Sequence, residues 1–553
     1  MAPHHPSLHP ADRNDEDMFA RNALRITPRL RPRAHPSRLL LPGRPRPAQC
    51  RSYTTSGNSS GSSPATPPHA AMTPALAPFV GELDRLAPSF DVQGSEITVL
   101  KTPAEFYETL KEKIRGAERR VFLATLYIGK SEQELIDTLR DALRRNPKLE
   151  VSVLTDCLRG TREAPDPSCA SLLAPLVEEF GEGRVEIRMY HTPNLTGLRK
   201  KHIPKRFNEG WGLQHMKLYG VDDEIIISGA NLSTDYFTNR QDRYHLFSSK
   251  EVTEYFYRIH AAVASLSYLV KPSAEPAGFT LSWPSTAPSP LEAPAEFTRH
   301  ATSVLNPLIT APASADDPNN AEFADTRVYV LSQMSQLLSP DTSTELPALT
   351  HILRVLSRPD YAASSWTFTA GYFNPAPSLT ALLLSASRGG PTPNTVITAS
   401  PQANGFYGSP GPSGLLPPAY TVLLRRFLDA VHRSGRTGDI SATEWRRGTV
   451  GEPGGWTYHA KGLWVTLPRE ENPSMTIVGS SNYTKRSYSL DLEVGALIVT
   501  KDEGLKRRLG DEKAALGEFA SPVTRDDLTK VDRRVGFHVR VAMWIVKMVG
   551  GAL

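Results

Sequence analysis

HMKLYGVD, residues 215–222, is followed after one residue by EIIISGANLS, residues 224–233. Both runs are apolar and rich in strand-forming residues, so they predict a β-hairpin rather than a helix. On a strand, positions i and i+2 face the same side. His215 and Lys217 therefore point together, an imidazole beside a fixed positive charge.

The same plan recurs further along the chain. YHAKGLWVTL (458–467) repeats the pair as His459 and Lys461, and MTIVGSSNYT (475–484) follows it. Ser228-Gly229-Ala230-Asn231 corresponds to Gly479-Ser480-Ser481-Asn482. Asp242 lies eleven residues after Asn231, and Glu493 lies eleven residues after Asn482. One His-x-Lys carries no information. Two, each followed by the same asparagine and a downstream carboxylate, carry a great deal.

The flanking elements repeat as well. Strands are expected at 120–129, 149–156 and 184–191, with helices at 131–147 and 171–181 between them and a closing helix at 253–270. Residues 366–374, 394–400 and 440–448 repeat the strands, and 377–387 and 419–435 repeat the helices. This is an internal duplication of an α/β unit.

At these residues the chain resembles the phospholipase D superfamily, whose pattern is His-x-Lys-x4-Asp followed by Gly-Ser-x-Asn. The resemblance covers roughly 90–500. SGANLSTDYFTNRQDRY (228–244), SPQANGFYG (400–408) and YHAKGLW (458–464) are similar to its mitochondrial branch, which moves a phosphatidyl group from CDP-diacylglycerol to glycerol 3-phosphate and starts phosphatidylglycerol and cardiolipin synthesis. The resemblance implies an α/β fold of two similar lobes, each a mixed sheet flanked by helices, with the active site at their interface.

It also implies roles. His215 and His459 supply nucleophile and proton carrier through a phosphohistidine, with His215 favoured as nucleophile because its motif is complete. Lys217, Lys461, Asn231 and Asn482 neutralise and orient the phosphate oxygens. Asp242 and Glu493 are expected on the far ring nitrogens. Asp222 completes the first motif; Thr466 stands at the equivalent position of the second. No metal or other cofactor is implied, because the lysines supply the positive charge.

Further candidates for substrate binding are Arg159 and Arg162 in CLRGTR (157–162), Ser480, and Lys200 and Lys201 in the basic run LRKKHIPKRF (198–207). Arg159 and Arg162 follow a strand end, where ligands of α/β sheets sit. The basic run suits an anionic lipid surface. Each has a plain alternative as a solvated loop.

Composition narrows the class. Hydrophobic content of 39% with 22% charged residues suits a globular protein, and three cysteines rule out a disulfide framework. Of the net charge of +5, residues 18–81 hold nine arginines and no acid, and residues 1–17 hold one arginine against four acids. The remaining chain is therefore −1. That near-neutral body argues against nucleic acid as a partner.

Residues 1–80 read as a leader with a mitochondrial transit peptide starting at Met18, a disordered basic tail being the alternative. Residues 81–271 form the first lobe, 272–320 a Pro/Ala/Ser-rich linker, 321–520 the second lobe, and 521–553 a basic, apolar segment suited to a membrane interface. The expected setting is peripheral, on the matrix face of the mitochondrial inner membrane. A phospholipase D-type hydrolase and a tyrosyl-DNA-type phosphodiesterase, which also lacks the second aspartate, remain as rivals on motifs alone.

Overall fold

The computed structural model describes residues 75–203, 208–284, 286–311 and 325–548. The transit-peptide reading falls outside them, as does part of the 198–207 run.

Each half contains three parallel strands. In the first they are Arg120–Ala124, Glu150–Asp156 and Val185–Tyr190, joined through helices Gln133–Arg145 and Cys169–Phe180. Their near-continuous apolar runs are what strands covered on both faces require. Ser168 caps the second helix, exchanging bonds with Ser171 in a capping box. Antiparallel strands extend the sheet: Leu218–Val221 on Arg120–Ala124, then Glu224–Ser228, Tyr244–Phe247 and, from earlier in the chain, Ile97–Leu100.

The second half repeats this order strand for strand. Ser365–Ala370, Asn394–Ala399 and Ile440–Trp445 are parallel. Lys461–Thr466, Met475–Gly479, Glu493–Thr500 and Thr326–Gln333 follow as the antiparallel series. Each sheet has nine strands. The duplication expected from the motifs thus covers seven consecutive strands of each sheet.

One apolar cluster contains Phe122, Leu218 and Ile225 of the first sheet together with Val328, Trp464 and Val494 of the second. Helices Lys250–Ser265, Pro294–Ile309 and Glu503–Gly517 also contribute side chains to it. Two further clusters cover the outer faces of the two sheets. The halves therefore share one interior.

Several expectations change here. The stretch 272–320 is no bare linker: it carries strand Phe279–Ser282 and helix Pro294–Ile309, whose Phe297, Ala301, Leu305 and Ile309 are buried in the shared core. Their i, i+4, i+8, i+12 spacing was legible beneath the prolines. The helix expected at 253–270 ends at Ser265, and Tyr268–Pro272 form a strand between Val185–Tyr190 and Phe279–Ser282. The boundary at 81 also moves. Helix Ala77–Leu86 and strand Ser89–Val92 precede the first lobe in the chain but pack on the second. The strand pairs with Thr326–Tyr329. Finally, 521–553 begins with an edge of the second sheet, Ala520–Val523, and ends with helix Phe537–Met548. Among the described residues no helix is long and apolar enough to cross a membrane.

Candidate active site

Both histidines lie in the extended lead-in to a central strand, at the seam between the sheets. Each is locked to the opposite half. The His215 backbone N–H donates to the Leu492 carbonyl at 2.9 Å, and its Nδ1 lies 2.8 Å from Glu493 Oε2. The His459 N–H donates to the Gln241 carbonyl at 2.8 Å, and its Nδ1 lies 2.7 Å from Asp242 Oδ2. Leu492 precedes Glu493 and Gln241 precedes Asp242, so the two arrangements are copies. A carboxylate accepting from Nδ1–H leaves Nε2 free for chemistry.

The lysines are fully enclosed. Lys217 Nζ donates to the His215 carbonyl at 2.6 Å. Lys461 Nζ lies 3.0 Å from the His459 carbonyl and 3.5 Å from Asp242. Gly229 is required beside them: a Cβ there would stand 2.6 Å from Asp242 Oδ1 and 2.8 Å from Lys461 Nζ. Asn231 and Asn482 complete the set. Among the described residues neither Oδ1 has a hydrogen-bond partner, and an amide turn would offer N–H₂ to a phosphate oxygen instead.

Burial controls the protonation states. It pushes both imidazoles well below 6.5, and the neighbouring lysine adds to this in each case. Both rings are therefore neutral in the empty site. Burial pulls Lys217 down to about 7 and raises Glu493 to about 7. Asp242 is also raised by burial, against the pull of Lys461.

His215, His459, Asn231 and Asn482 line a cavity of about 440 Å³, within the range of small-molecule sites. Arg159 and Arg162 line it too, as expected. Asp222 does not. It sits at the hairpin turn with φ of 51°, and its carboxylate accepts from the backbone N–H groups of Glu118, Arg119 and Arg120 at 2.8 to 3.0 Å. It is an anchor for strand entry. In the second half Thr466 stands at this position, opposite Ser365, and Asn394 accepts from the Trp366 N–H at 3.0 Å nearby.

Ser480 is also reassigned. It is buried against the strand of Glu493, exchanging bonds with Val494 at 3.2 and 3.3 Å. It steadies that carboxylate and is not among the cavity residues. Lys200 and Lys201 are exposed on helix Gly197–His202, outside the cavity wall. Sequence reasoning missed Arg240, Arg486, Tyr236, Tyr372 and Tyr420, all lining residues. The signal available was position: Tyr236 and Arg486 follow the two motif asparagines by five and four residues.

Comparison with known proteins gives the chemistry a family. A family model described as "Cardiolipin synthase, PLD-like domain" matches residues 110–261. The CDP-diacylglycerol–glycerol-3-phosphate 3-phosphatidyltransferase of Saccharomyces cerevisiae is 45% identical over 472 residues, 83% of this chain and 88% of the relative. This chain belongs to that phosphatidyltransferase family. The human member, whose name carries the word mitochondrial, is 34% identical over 491 residues, 84% of each chain. In fold, phosphatidylserine synthase of Haemophilus influenzae superposes with a TM-score of 0.64 at 19% identity, covering 86% of this chain and 98% of that one. The two-lobed plan thus extends beyond the phosphatidyltransferase family.

Proposed function

We propose that this chain transfers the phosphatidyl group of CDP-diacylglycerol to glycerol 3-phosphate, releasing CMP and forming phosphatidylglycerophosphate. The observation that carries the reading is the crossed pair of buried histidine–carboxylate contacts on one cavity, in a chain of this family.

His215 Nε2 attacks the phosphatidyl phosphorus while Glu493 holds the proton on Nδ1. The bond from phosphorus to the CMP oxygen breaks. CMP leaves as a phosphate, a stable anion that asks little of an acid. The acceptor is harder, because an alcohol must lose its proton. A neutral His459 held by Asp242 is ready to take that proton on Nε2. The alkoxide oxygen then bonds to phosphorus, the P–N bond to His215 breaks, and His459 gives up the proton to solvent. Lys217, Lys461 and the two asparagines hold the equatorial oxygens throughout.

The setting we propose is peripheral, on a mitochondrial membrane. Helix Phe537–Met548 supports it: Phe537 and Trp544, seven residues apart on one face, are 80% and 61% exposed, beside exposed Arg534 and Arg540. Aromatic and basic residues on one exposed face suit an anionic interface.

The test is CMP release from CDP-diacylglycerol in detergent with excess EDTA, with and without glycerol 3-phosphate. Release that requires the acceptor and disappears in His215→Ala and His459→Ala supports this reading. Release into water alone would make the chain a hydrolase.

A further inference from the structure

The two lysines donate to the carbonyls of the histidines they accompany. The acceptor carries a second phosphate that does not react. Its dianion must also be recognised, and the lysines are already committed.

Three arginines at the cavity wall have no role in the chemistry described so far. Arg159 and Arg162 come from the turn after strand Glu150–Asp156, and Arg486 from the first turn of helix Lys485–Ser489 in the other half. All three converge on Glu209. Arg162 is in direct contact with its carboxylate, Arg159 lies 3.9 Å away, and Arg486 Nη2 donates to its carbonyl at 3.0 Å. Asp491, 3.2 Å from Arg486 Nε, is the other carboxylate facing them from the cavity lining. Asp156, behind the turn, accepts from the backbone N–H groups of Arg159 and Gln214.

Three guanidinium groups thus meet two carboxylates, and among the described residues Arg162 Nε makes no hydrogen bond. Planar forks of this kind match a phosphate monoester better than a single point charge does. The nucleotide has a different wall available. Tyr372 stands 5.5 Å from Tyr420 and 5.7 Å from Phe406, beside Arg240, a surface suited to a pyrimidine ring.

We infer that Arg486, with Arg159 and Arg162, seats the non-reacting phosphate of the acceptor, and that Glu209 occupies this seat until the acceptor displaces it. The inference rests on the proposed phosphatidyl transfer. It makes the arginine rim the selectivity element for phosphorylated over plain glycerol.

The experiment compares two reactions of the full chain in detergent: transfer to glycerol 3-phosphate, and exchange of labelled CMP into CDP-diacylglycerol without acceptor. In Arg486→Gln and Arg162→Gln, the KM for glycerol 3-phosphate should rise roughly 10- to 100-fold, the loss of one charged hydrogen-bonding partner. Transfer at low acceptor should fall at least about tenfold more than exchange, and Arg486→Lys should recover part of the difference. Glu209→Gln should move the other way, lowering that KM and making inorganic phosphate a stronger competitor. Exchange falling in step with transfer would overturn the inference and assign the rim to the donor. An unchanged KM with lowered kcat would overturn it too, leaving Arg486 as a support for Asp491. Absence of acceptor-dependent transfer in the unaltered protein would instead defeat the functional reading itself.

Discussion

At the residue scale the site is governed by what burial does to charge. Glu493 and Lys217 are both brought to about 7, from opposite directions. Glu493 must be ionised to hold the His215 proton, so activity should rise as pH climbs towards 7. Lys217 must be protonated to hold phosphate oxygens, so activity should fall above it. A narrow bell centred near neutral pH is expected in kcat/KM, its limbs belonging to the coupled pair rather than to either group alone. Glu493→Gln should remove the acidic limb and most of the rate. His459→Ala should lower transfer by about 10² to 10⁴-fold, and His215→Ala should leave none of the phosphoenzyme that the unaltered protein shows after a mildly alkaline detergent quench. The candidate site was legible from the repeat: His215, His459, Lys217, Lys461, Asn231 and Asn482 gather at the seam, with Asp242 and Glu493 on the far nitrogens. That each carboxylate crosses to the other half was not legible, because spacing along a chain says nothing about which copy a side chain will face.

At the element scale, the first motif's aspartate belongs to the hairpin rather than to the chemistry. Asp222→Ala leaves three backbone N–H groups without their acceptor. A loss of about 1–3 kcal/mol in unfolding free energy is expected, measurable by urea titration, with little change in KM for either substrate. The strands and helices carrying regular apolar patterns were readable. Those missed have physical excuses. Helix Pro294–Ile309 hides behind a proline-rich composition, and Ile97–Leu100 is an edge strand of only four residues. Helix Phe537–Met548 gives a separate expectation. Phe537→Ser with Trp544→Ser should reduce co-sedimentation with anionic vesicles severalfold, while transfer in detergent persists.

For the whole molecule, the seam is an interior and not a contact between finished domains. Arg243, next to Asp242, crosses it completely buried. Its guanidinium donates to Glu512 twice at 2.8 Å, to the Ile477 carbonyl at 2.6 Å, and stacks 3.8 Å from the Trp464 ring. His245 and Trp464 also reach Glu512, each at 3.0 Å. Burial pushes the Glu512 carboxyl up, but Arg243 and His245 overcome it and hold it well below the usual carboxylate range. Its contribution to stability is therefore complete above the unfolded value of about 4.3 and is lost as pH falls through the depressed one. Glu512→Gln strands a buried guanidinium and should cost about 3–5 kcal/mol, seen as a lower midpoint in denaturant at neutral pH.

Strand Ser89–Val92 has a consequence for how the chain is made. It leaves the ribosome early, yet its partner Thr326–Tyr329 follows about 240 residues later. At some 5–20 residues per second, that is a wait of roughly 12 to 50 seconds with an open strand edge. The first half can gather its own sheet meanwhile, but helix Ala77–Leu86 and this strand stay unplaced until the second half emerges. Such a segment is a natural hold for a chaperone, and the molecule closes by taking its own beginning last.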